Sequence, residues 1–158
     1  MKLSDLVTPV ALVDIARMQQ NIDRMQAQTN RLGVAFRPHV KTSKCVEITK
    51  LQVAAGAKGI TVSTLKEAEQ FFDAGISDIL YAVGIAANKL PQAAALQARG
   101  CDLKILTDSV ASAQAIVDFA RSRGMTFKVF IEIDTDDHRS GIKPDASSLL
   151  DVARVLSD

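Results

Sequence analysis

Short, almost wholly apolar runs alternate along the chain with longer segments in which apolar residues recur at helical spacing. The apolar runs predict strands, and the amphipathic segments predict helices. The predicted strands span residues 10–13, 34–40, 59–62, 78–83, 103–106 and 126–133. The predicted helices span residues 14–32, 45–56, 64–75, 87–100, 109–124 and 145–158. Counted from residue 34, the pattern gives five strand–helix units.

This alternation predicts an α/β fold in which helices cover a parallel sheet. Runs such as ITV and ILYAV are apolar at nearly every position, as expected for covered strands. Two architectures remain open. A five-stranded, flavodoxin-like sheet fits 158 residues, whereas an eight-stranded α/β barrel takes about 250 residues. The extra strand and helix before residue 34, and a final helical pattern with no stop signal, favour a truncated barrel.

Composition excludes several classes of protein. Apolar residues make up 47% of the chain, charged residues 23%, and the net charge is +1, so neither nucleic acid nor a membrane is an expected partner. No apolar run approaches the ~20 residues that span a bilayer, and the start lacks a signal-peptide pattern. Cys45 and Cys101 form no CxxC motif and are expected to be reduced thiols. The expected compartment is the cytoplasm.

The segment VAFRPHVKTSK, residues 34–44, carries the candidate chemistry. With the two-residue period of a strand, Arg37, His39 and Lys41 share one face, predicted to point into the barrel. Burying basic groups without partners is costly, so an anion is expected beside them. Glu132 alternates with apolar neighbours in the strand 126–133, and it is therefore the predicted partner of Arg37 or His39.

Lys41 is the candidate catalytic amine, because it stays in phase with the strand while Lys44 does not. A neutral amine in such a site can condense with an aldehyde cofactor. The alternative is an ordinary solvated lysine at the rim of the sheet.

The segments RPHVKTSK and GITVSTLKEAEQFFDAGISDILYAV resemble the D-serine dehydratase and D-threonine aldolase family, whose members are pyridoxal-phosphate (PLP) enzymes. The likeness extends from TPVALVD to IEIDTDDHRSG, nearly the whole chain. It implies an alanine racemase-like (β/α)8 TIM barrel, of which this chain supplies roughly the first five units. Residues 1–158 are then the amino-terminal part of the PLP-binding barrel, and the family's carboxy-terminal β-domain lies outside this chain.

The resemblance also implies roles for individual residues. Lys41 binds PLP covalently, His39 belongs to the cofactor site, and Arg139 lies near the phenolic oxygen of PLP and the substrate carboxylate. A divalent metal is expected on histidine and cysteine ligands of the carboxy-terminal β-domain, with none in this chain. Ser43 is a departure, since many relatives carry histidine there, and this bears on substrate choice.

The implied activity is that of a PLP- and metal-dependent ammonia-lyase, a dehydratase. Its substrate would be a small D-3-hydroxy amino acid of the D-threo-3-hydroxyaspartate or D-serine type, and its products a 2-oxo acid and ammonia. The segments VSTLKEAEQFF and ILYAV favour the dehydratase branch. The full-length form is expected to be a homodimer, and this chain by itself is expected to be inactive.

Four alternatives stay open. They are an aldolase that breaks the Cα–Cβ bond, a racemase, a non-catalytic PLP-binding homeostasis protein, and a flavodoxin-like domain that binds no PLP. The acidic loop at residues 134–138 adds a calcium-binding alternative, but Arg139 and Asp145 stand where an EF-hand has glycine and glutamate. The loop is therefore predicted to be a solvated turn.

Overall fold

The computed structural model describes residues 2–136 and 139–157 and confirms the predicted alternation of strands and helices. The strands are β1 (Ile60–Val62), β2 (Asp78–Gly84), β3 (Asp102–Thr107) and β4 (Lys128–Ile131). The helices are α1 (Ile15–Arg31), α2 (Val46–Ala55), α3 (Leu65–Asp73), α4 (Leu90–Ala98), α5 (Val110–Arg123) and α6 (Ser148–Ser157). Short 3-10 turns occupy Leu3–Asp5 and Ala87–Lys89. Throughout the described ranges, no helix has the length and apolar character needed to cross a membrane.

Side-chain caps start three of the helices where the sequence predicts them. The Asp14 carboxylate accepts from the backbone N–H of Arg17 at 3.0 Å and begins α1. The hydroxyls of Thr64 and Ser109 do the same for α3 and α5. Each cap satisfies a donor that the first turn of a helix leaves unpaired.

Strand order decides between the two candidate architectures. The four strands are all parallel and lie in the order β1-β2-β3-β4. Each right-handed crossover therefore advances in the same direction and places its helix on the same face of the sheet. A doubly wound, flavodoxin-like sheet needs a reversal of strand order, which these strands do not contain. The arrangement is that of consecutive units of an α/β barrel.

The main core lies between this sheet and its helices. Alternate strand residues are almost completely buried there, namely Ile60, Val62, Ile79, Tyr81, Leu103 and Ile105. Helix residues of the same cluster cover them, namely Leu65, Ala68, Phe71, Leu90, Ala93, Leu96 and Ile116. Because side chains alternate across a strand, the intervening residues are left on the opposite, uncovered face. That face is the one that an α/β barrel turns inward.

The predicted strand at residues 34–40 is an extended segment rather than a regular strand. It lies beside β1, joined by a single parallel bridge between His39 and Thr61. Thr61 N donates to Pro38 O at 2.8 Å, and Val40 N donates to Thr61 O at 2.9 Å. Pro38 has no N–H, so it cannot donate to a continuous ladder. The segment nevertheless occupies the place of the first barrel strand.

The predicted strand at residues 10–13 is wrong. These residues form no regular structure and are exposed, with Val10 at 48%, Leu12 at 62% and Val13 at 53%. A strand needs a neighbour to bond to, and none lies beside this segment within the described residues.

Candidate active site

A tight turn at the carboxyl edge of the sheet presents Lys41. Lys44 N donates to Val40 O at 2.9 Å and closes the turn. Ser43 Oγ contacts the same carbonyl oxygen at 3.5 Å. In parallel α/β folds this edge carries the active site, since all strands end there and the following helices begin there.

The Lys41 side chain is exposed on this edge. Among the described residues, no carboxylate lies within ion-pair distance of its ammonium group. Arg37 and Lys44, by contrast, both form ion pairs. The amine of Lys41 therefore remains available for a ligand.

His39 lies directly before this turn and faces Ser63 at the end of β1. Its Nδ1 accepts from Lys41 N at 3.4 Å, and its Nε2 lies 3.4 Å from Ser63 Oγ. Burial lowers the pKa of His39, and the positive charges of Lys41 and Arg139 lower it further, against the opposing charge of Glu67. A neutral ring whose Nδ1 accepts a bond carries its proton on Nε2. Nε2 is the ring nitrogen that faces the Ser63 hydroxyl.

Glu67 is a buried acid behind the turn, only 5% exposed. Its Oε2 accepts from Ser63 N at 2.9 Å, and its Oε1 pairs with Lys44 Nζ at 3.1 Å. Burial opposes ionisation of Glu67, but the hydrogen bonds from Ser63 and Lys44 outweigh it, so its pKa is lowered. Thr64 caps the start of α3, while the Glu67 side chain binds the backbone of Ser63.

The predicted pairing of Glu132 with Arg37 or His39 is wrong. Arg37 makes a two-pronged ion pair with Asp78, with both nitrogen–oxygen distances at 2.8 Å. Asp78 begins β2, so this pair lies at the amino edge of the sheet, opposite Lys41. Glu132 accepts from Ser140 Oγ at 2.9 Å instead. Strand register decides this pairing, because it places Gly59, which has no side chain, between Arg37 and Asp78.

The pair is part of a row of alternating charges along the amino edge. The row runs Arg37, Asp78, Lys104, Asp102 and Lys128. The row contains three cations and two carboxylates, which come from the extended segment and from β2, β3 and β4. Its charges are therefore already paired at the edge away from Lys41.

Arg139 lies in the loop that follows β4 and is exposed. Because this loop leaves the carboxyl end of β4, it lies at the edge of the sheet that also carries Lys41. Asp134 N donates to Ile142 O and Ile142 N donates to Glu132 O, both at 2.9 Å, and these bonds close the loop. Gly141 allows this closure with φ +99°, a conformation that side chains disfavour.

The calcium alternative for the loop concerns Asp137 and His138 in part, and these two residues lie outside the described ones. Over residues 2–136 and 139–157, no group of three or more histidine, cysteine or acidic side chains is arranged to hold a metal.

Burial, aided by Asp102, raises the pKa of the Cys101 thiol to about 11. This thiol is therefore protonated at neutral pH and packs as a small apolar side chain.

The structure thus brings His39, Lys41 and Arg139 to one edge and places Arg37 at the other. It also adds Ser63 and Glu67 to the site. The sequence pattern predicts Glu67 only as part of a helix and assigns no role to Ser63. A signal for them was present, because the STLKE segment, residues 63–67, directly follows the buried run ITV. Polar residues at the carboxyl end of a parallel strand are site candidates even when one of them also caps a helix.

The strand order and the exposed lysine define an α/β-barrel protein with a candidate active site at the carboxyl edge of its sheet. Comparison with known families identifies the family. Residues 13–157 match the model of the alanine racemase N-terminal domain, so the chain belongs to that family.

Among its relatives is the D-threo-3-hydroxyaspartate dehydratase of Delftia sp., 59% identical over 99% of this chain and 41% of that protein. The solved structure of that enzyme superposes with a TM-score of 0.95 over 98% of this chain and 41% of the solved chain.

Two further relatives extend the comparison. A D-serine dehydratase of Dictyostelium discoideum is 34% identical over 98% of this chain and 41% of that protein. A D-threonine aldolase of Arthrobacter sp. is 31% identical over 91% of this chain and 38% of that protein. The chain therefore spans about two fifths of the length of the relatives it matches, and the barrel portion is the part that they share.

Proposed function

We propose that this chain is the cofactor-bearing portion of a PLP-dependent dehydratase that converts a D-3-hydroxy amino acid into a 2-oxo acid and ammonia. The observation that carries the proposal is Lys41, an exposed amine without a carboxylate partner among the described residues, at the carboxyl end of the first barrel segment. The 59% identity with D-threo-3-hydroxyaspartate dehydratase supports that substrate or a close analogue.

The residues at the carboxyl edge fit PLP in their chemistry. PLP is an anionic aldehyde, so it calls for an amine that can bond to the aldehyde carbon and for nearby positive charge. Lys41 supplies the amine. Arg139, in the loop after the carboxyl end of β4, supplies positive charge on the same edge. PLP, when bound, supplies an electron sink for the negative charge that develops at the substrate Cα.

In this proposal each residue has a distinct task. Lys41 Nζ would hold the cofactor and would accept the proton from the substrate Cα. Arg139 binds the substrate carboxylate, a task that suits its planar guanidinium. His39, fixed between Lys41 N and Ser63 and with a lowered pKa, would border the cofactor without adding a further charge.

We also propose that a divalent metal assists departure of the β-hydroxyl as a Lewis acid, with ligands outside this chain. A mutant of a D-threo-3-hydroxyaspartate dehydratase has been solved in the metal-free form, which supports a metal in that relative. The complete protein is further proposed to be a cytoplasmic homodimer. Light scattering of the purified protein would measure its mass in solution.

The decisive experiment is borohydride reduction of the complete protein loaded with PLP, followed by peptide mapping. A pyridoxyl adduct on Lys41 is the expected result, and an adduct on any other lysine would contradict the assignment. Lys50→Ala is a matched control, because Lys50 is an exposed lysine on the neighbouring helix α2. That variant should still carry the adduct on Lys41.

The aldolase alternative is supported by the 31% identity with D-threonine aldolase and is tested by the products. A dehydratase releases ammonia and a 2-oxo acid from D-threo-3-hydroxyaspartate or D-serine. An aldolase releases glycine and an aldehyde from the same class of substrate. A racemase releases the L-amino acid, and a PLP-binding homeostasis protein gives the adduct with no product.

A further inference from the structure

Glu67 occupies an unusual place for an acid. It lies in the first turn of α3, on the side of the helix that also buries Leu65, Ala68 and Phe71. A carboxylate so placed is unfavourable unless each oxygen has a partner. Its two oxygens have different partners, Ser63 N and Lys44 Nζ, which belong to different segments of the chain.

The first partner, Lys44, is held in a strained conformation. It is the one residue other than glycine with a positive φ among those described, at +46°. A residue with a Cβ adopts this region at a cost in free energy, so surrounding contacts must hold it there. Two contacts do so: Lys44 N donates to Val40 O, and Lys44 Nζ pairs with Glu67. The turn that contains Lys41 is thereby fastened at its far end.

The second partner leads to the near end of the same turn. Glu67 fixes the backbone of Ser63, whose hydroxyl meets His39 Nε2. His39 Nδ1 then accepts from the backbone N–H of Lys41. Lys44 lies three residues after Lys41 and binds Glu67 directly. His39 lies two residues before Lys41 and is linked to Glu67 through Ser63.

We propose that Glu67 is a positioning residue that fixes the Lys41 turn from both sides, so that the amine meets the cofactor in one orientation. The inference rests on the proposed function, in which Lys41 binds PLP. Glu67 acts through Lys44 and Ser63, and no contact joins it to the Lys41 amine. The competing explanation is that Glu67 merely stabilises the start of α3.

The test uses the complete protein with three substitutions at this network. Glu67→Gln keeps an acceptor for Ser63 N and removes the charge that pairs with Lys44. Lys44→Met removes the same ion pair from its exposed end, where the lysine side chain is 64% accessible. Lys44→Arg keeps the positive charge and should rescue the loss. Glu69→Gln is the matched control, since Glu69 pairs with Lys66 at 2.9 Å on the same helix.

Two measurements separate positioning from simple stabilisation. The first is the rate at which PLP, added to the apoprotein, becomes attached to Lys41, followed by the visible absorption of the cofactor. Small displacements of a reacting group can slow a reaction by orders of magnitude, so we expect about a tenfold or greater loss in Glu67→Gln and Lys44→Met. The second is hydrogen–deuterium exchange of residues 39–46 in the apoprotein, expected to quicken about three- to tenfold.

The double variant supplies a further criterion. If both residues act through one ion pair, Glu67→Gln with Lys44→Met should attach PLP no more slowly than the slower single variant. Glu69→Gln should attach PLP at the wild-type rate. Because Lys44 is largely exposed, Lys44→Met tests the proposal even where Glu67→Gln fails to fold.

The outcomes distinguish this proposal from the one on which it rests. An adduct on Lys41 in the wild type, with unchanged attachment and exchange in both single variants, would overturn the role of Glu67 and leave the proposed function intact. A fall in melting temperature alone, without slower attachment, would likewise favour simple stabilisation and overturn it. A wild type with no adduct on Lys41 would overturn both.

Discussion

The ion pair between Arg37 and Asp78 anchors the segment that leads to Lys41, and Asp78→Asn tests its strength. Both guanidinium nitrogens lie 2.8 Å from carboxylate oxygens of Asp78, and Lys104 binds the same carboxylate. Asparagine keeps the shape of the side chain but offers a single acceptor oxygen and no charge. The substitution therefore leaves Arg37 without a charged partner, while Lys104 keeps Asp102.

The expected loss follows from exposure and bond type. Hydrogen bonds to charged groups contribute about 1.5–3 kcal/mol each, and surface ion pairs about 0–1 kcal/mol. The two side chains are 28% and 31% accessible, between these limits. We therefore expect a loss of about 1–2 kcal/mol in the free energy of unfolding. At about 2–4 °C per kcal/mol for a domain of this size, the melting temperature should fall by roughly 2–8 °C.

The loss should also depend on pH. Burial opposes ionisation of Asp78, but the hydrogen bonds from Arg37 and Lys104 outweigh it, so the pKa of Asp78 is lowered. A carboxyl group with a folded-state pKa below its unfolded value of about 3.9 stabilises the fold above that pH. That stabilisation disappears as the pH falls through the folded-state pKa. The difference between wild type and variant should thus be constant from about pH 5 to 8 and shrink below about pH 4.

Gly59 provides an independent way to disturb the same pair. A Cβ on Gly59 would lie against Arg37 Nη1 and 2.7 Å from both the Cγ and the carbonyl oxygen of Asp78. Gly59→Ala should therefore displace the guanidinium. Combined with Asp78→Asn, it should cost less than the sum of the two single losses, since both remove one interaction.

Thermal unfolding of the complete protein, followed by circular dichroism, measures all of these effects. Asp73→Asn is the control, because Asp73 pairs with Arg99 on the surface at 54% side-chain exposure. Exposed pairs contribute little, so this variant should lose less than about 1 kcal/mol. Equal losses in Asp73→Asn and Asp78→Asn, or strict additivity with Gly59→Ala, would refute the proposed anchoring role.

Three further predictions concern the site and the core. Lys41→Ala in the complete protein should abolish turnover while circular dichroism shows an intact fold, and full activity would contradict the mechanism. Gly141→Ala would place a Cβ 2.8 Å from Asp134 N, and it should distort the loop that carries Arg139, raising KM in steady-state assays; unchanged kinetics would count against Arg139. Leu103→Ala removes a side chain that is 1% exposed, and it should cost about 2–5 kcal/mol in urea unfolding; a smaller loss would mean that the core adjusts to fill the cavity.

Much of the site was predictable from residues 34–44 and from the resemblance they carry. The position of Lys41 at the carboxyl end of the first barrel segment follows from the two-residue period and the length of the apolar run. The partners of the neighbouring charges did not follow. Arg37 pairs with Asp78 because the two residues lie on either side of Gly59 in neighbouring parallel segments. Glu67 pairs with Lys44 because the start of α3 lies next to the end of the turn in space.

The sequence by itself determined the order and kind of the elements, since hydrophobic period, helix caps and glycine stops act over a few neighbouring residues. It could not determine which way successive strands are added, and only the order β1-β2-β3-β4 separates a barrel from a doubly wound sheet. Likewise, residues 10–13 have the composition of a strand but no neighbouring strand in the described structure. Strand pairing, register and ion pairing join residues distant in the chain, so they are decided by tertiary packing and not by local pattern.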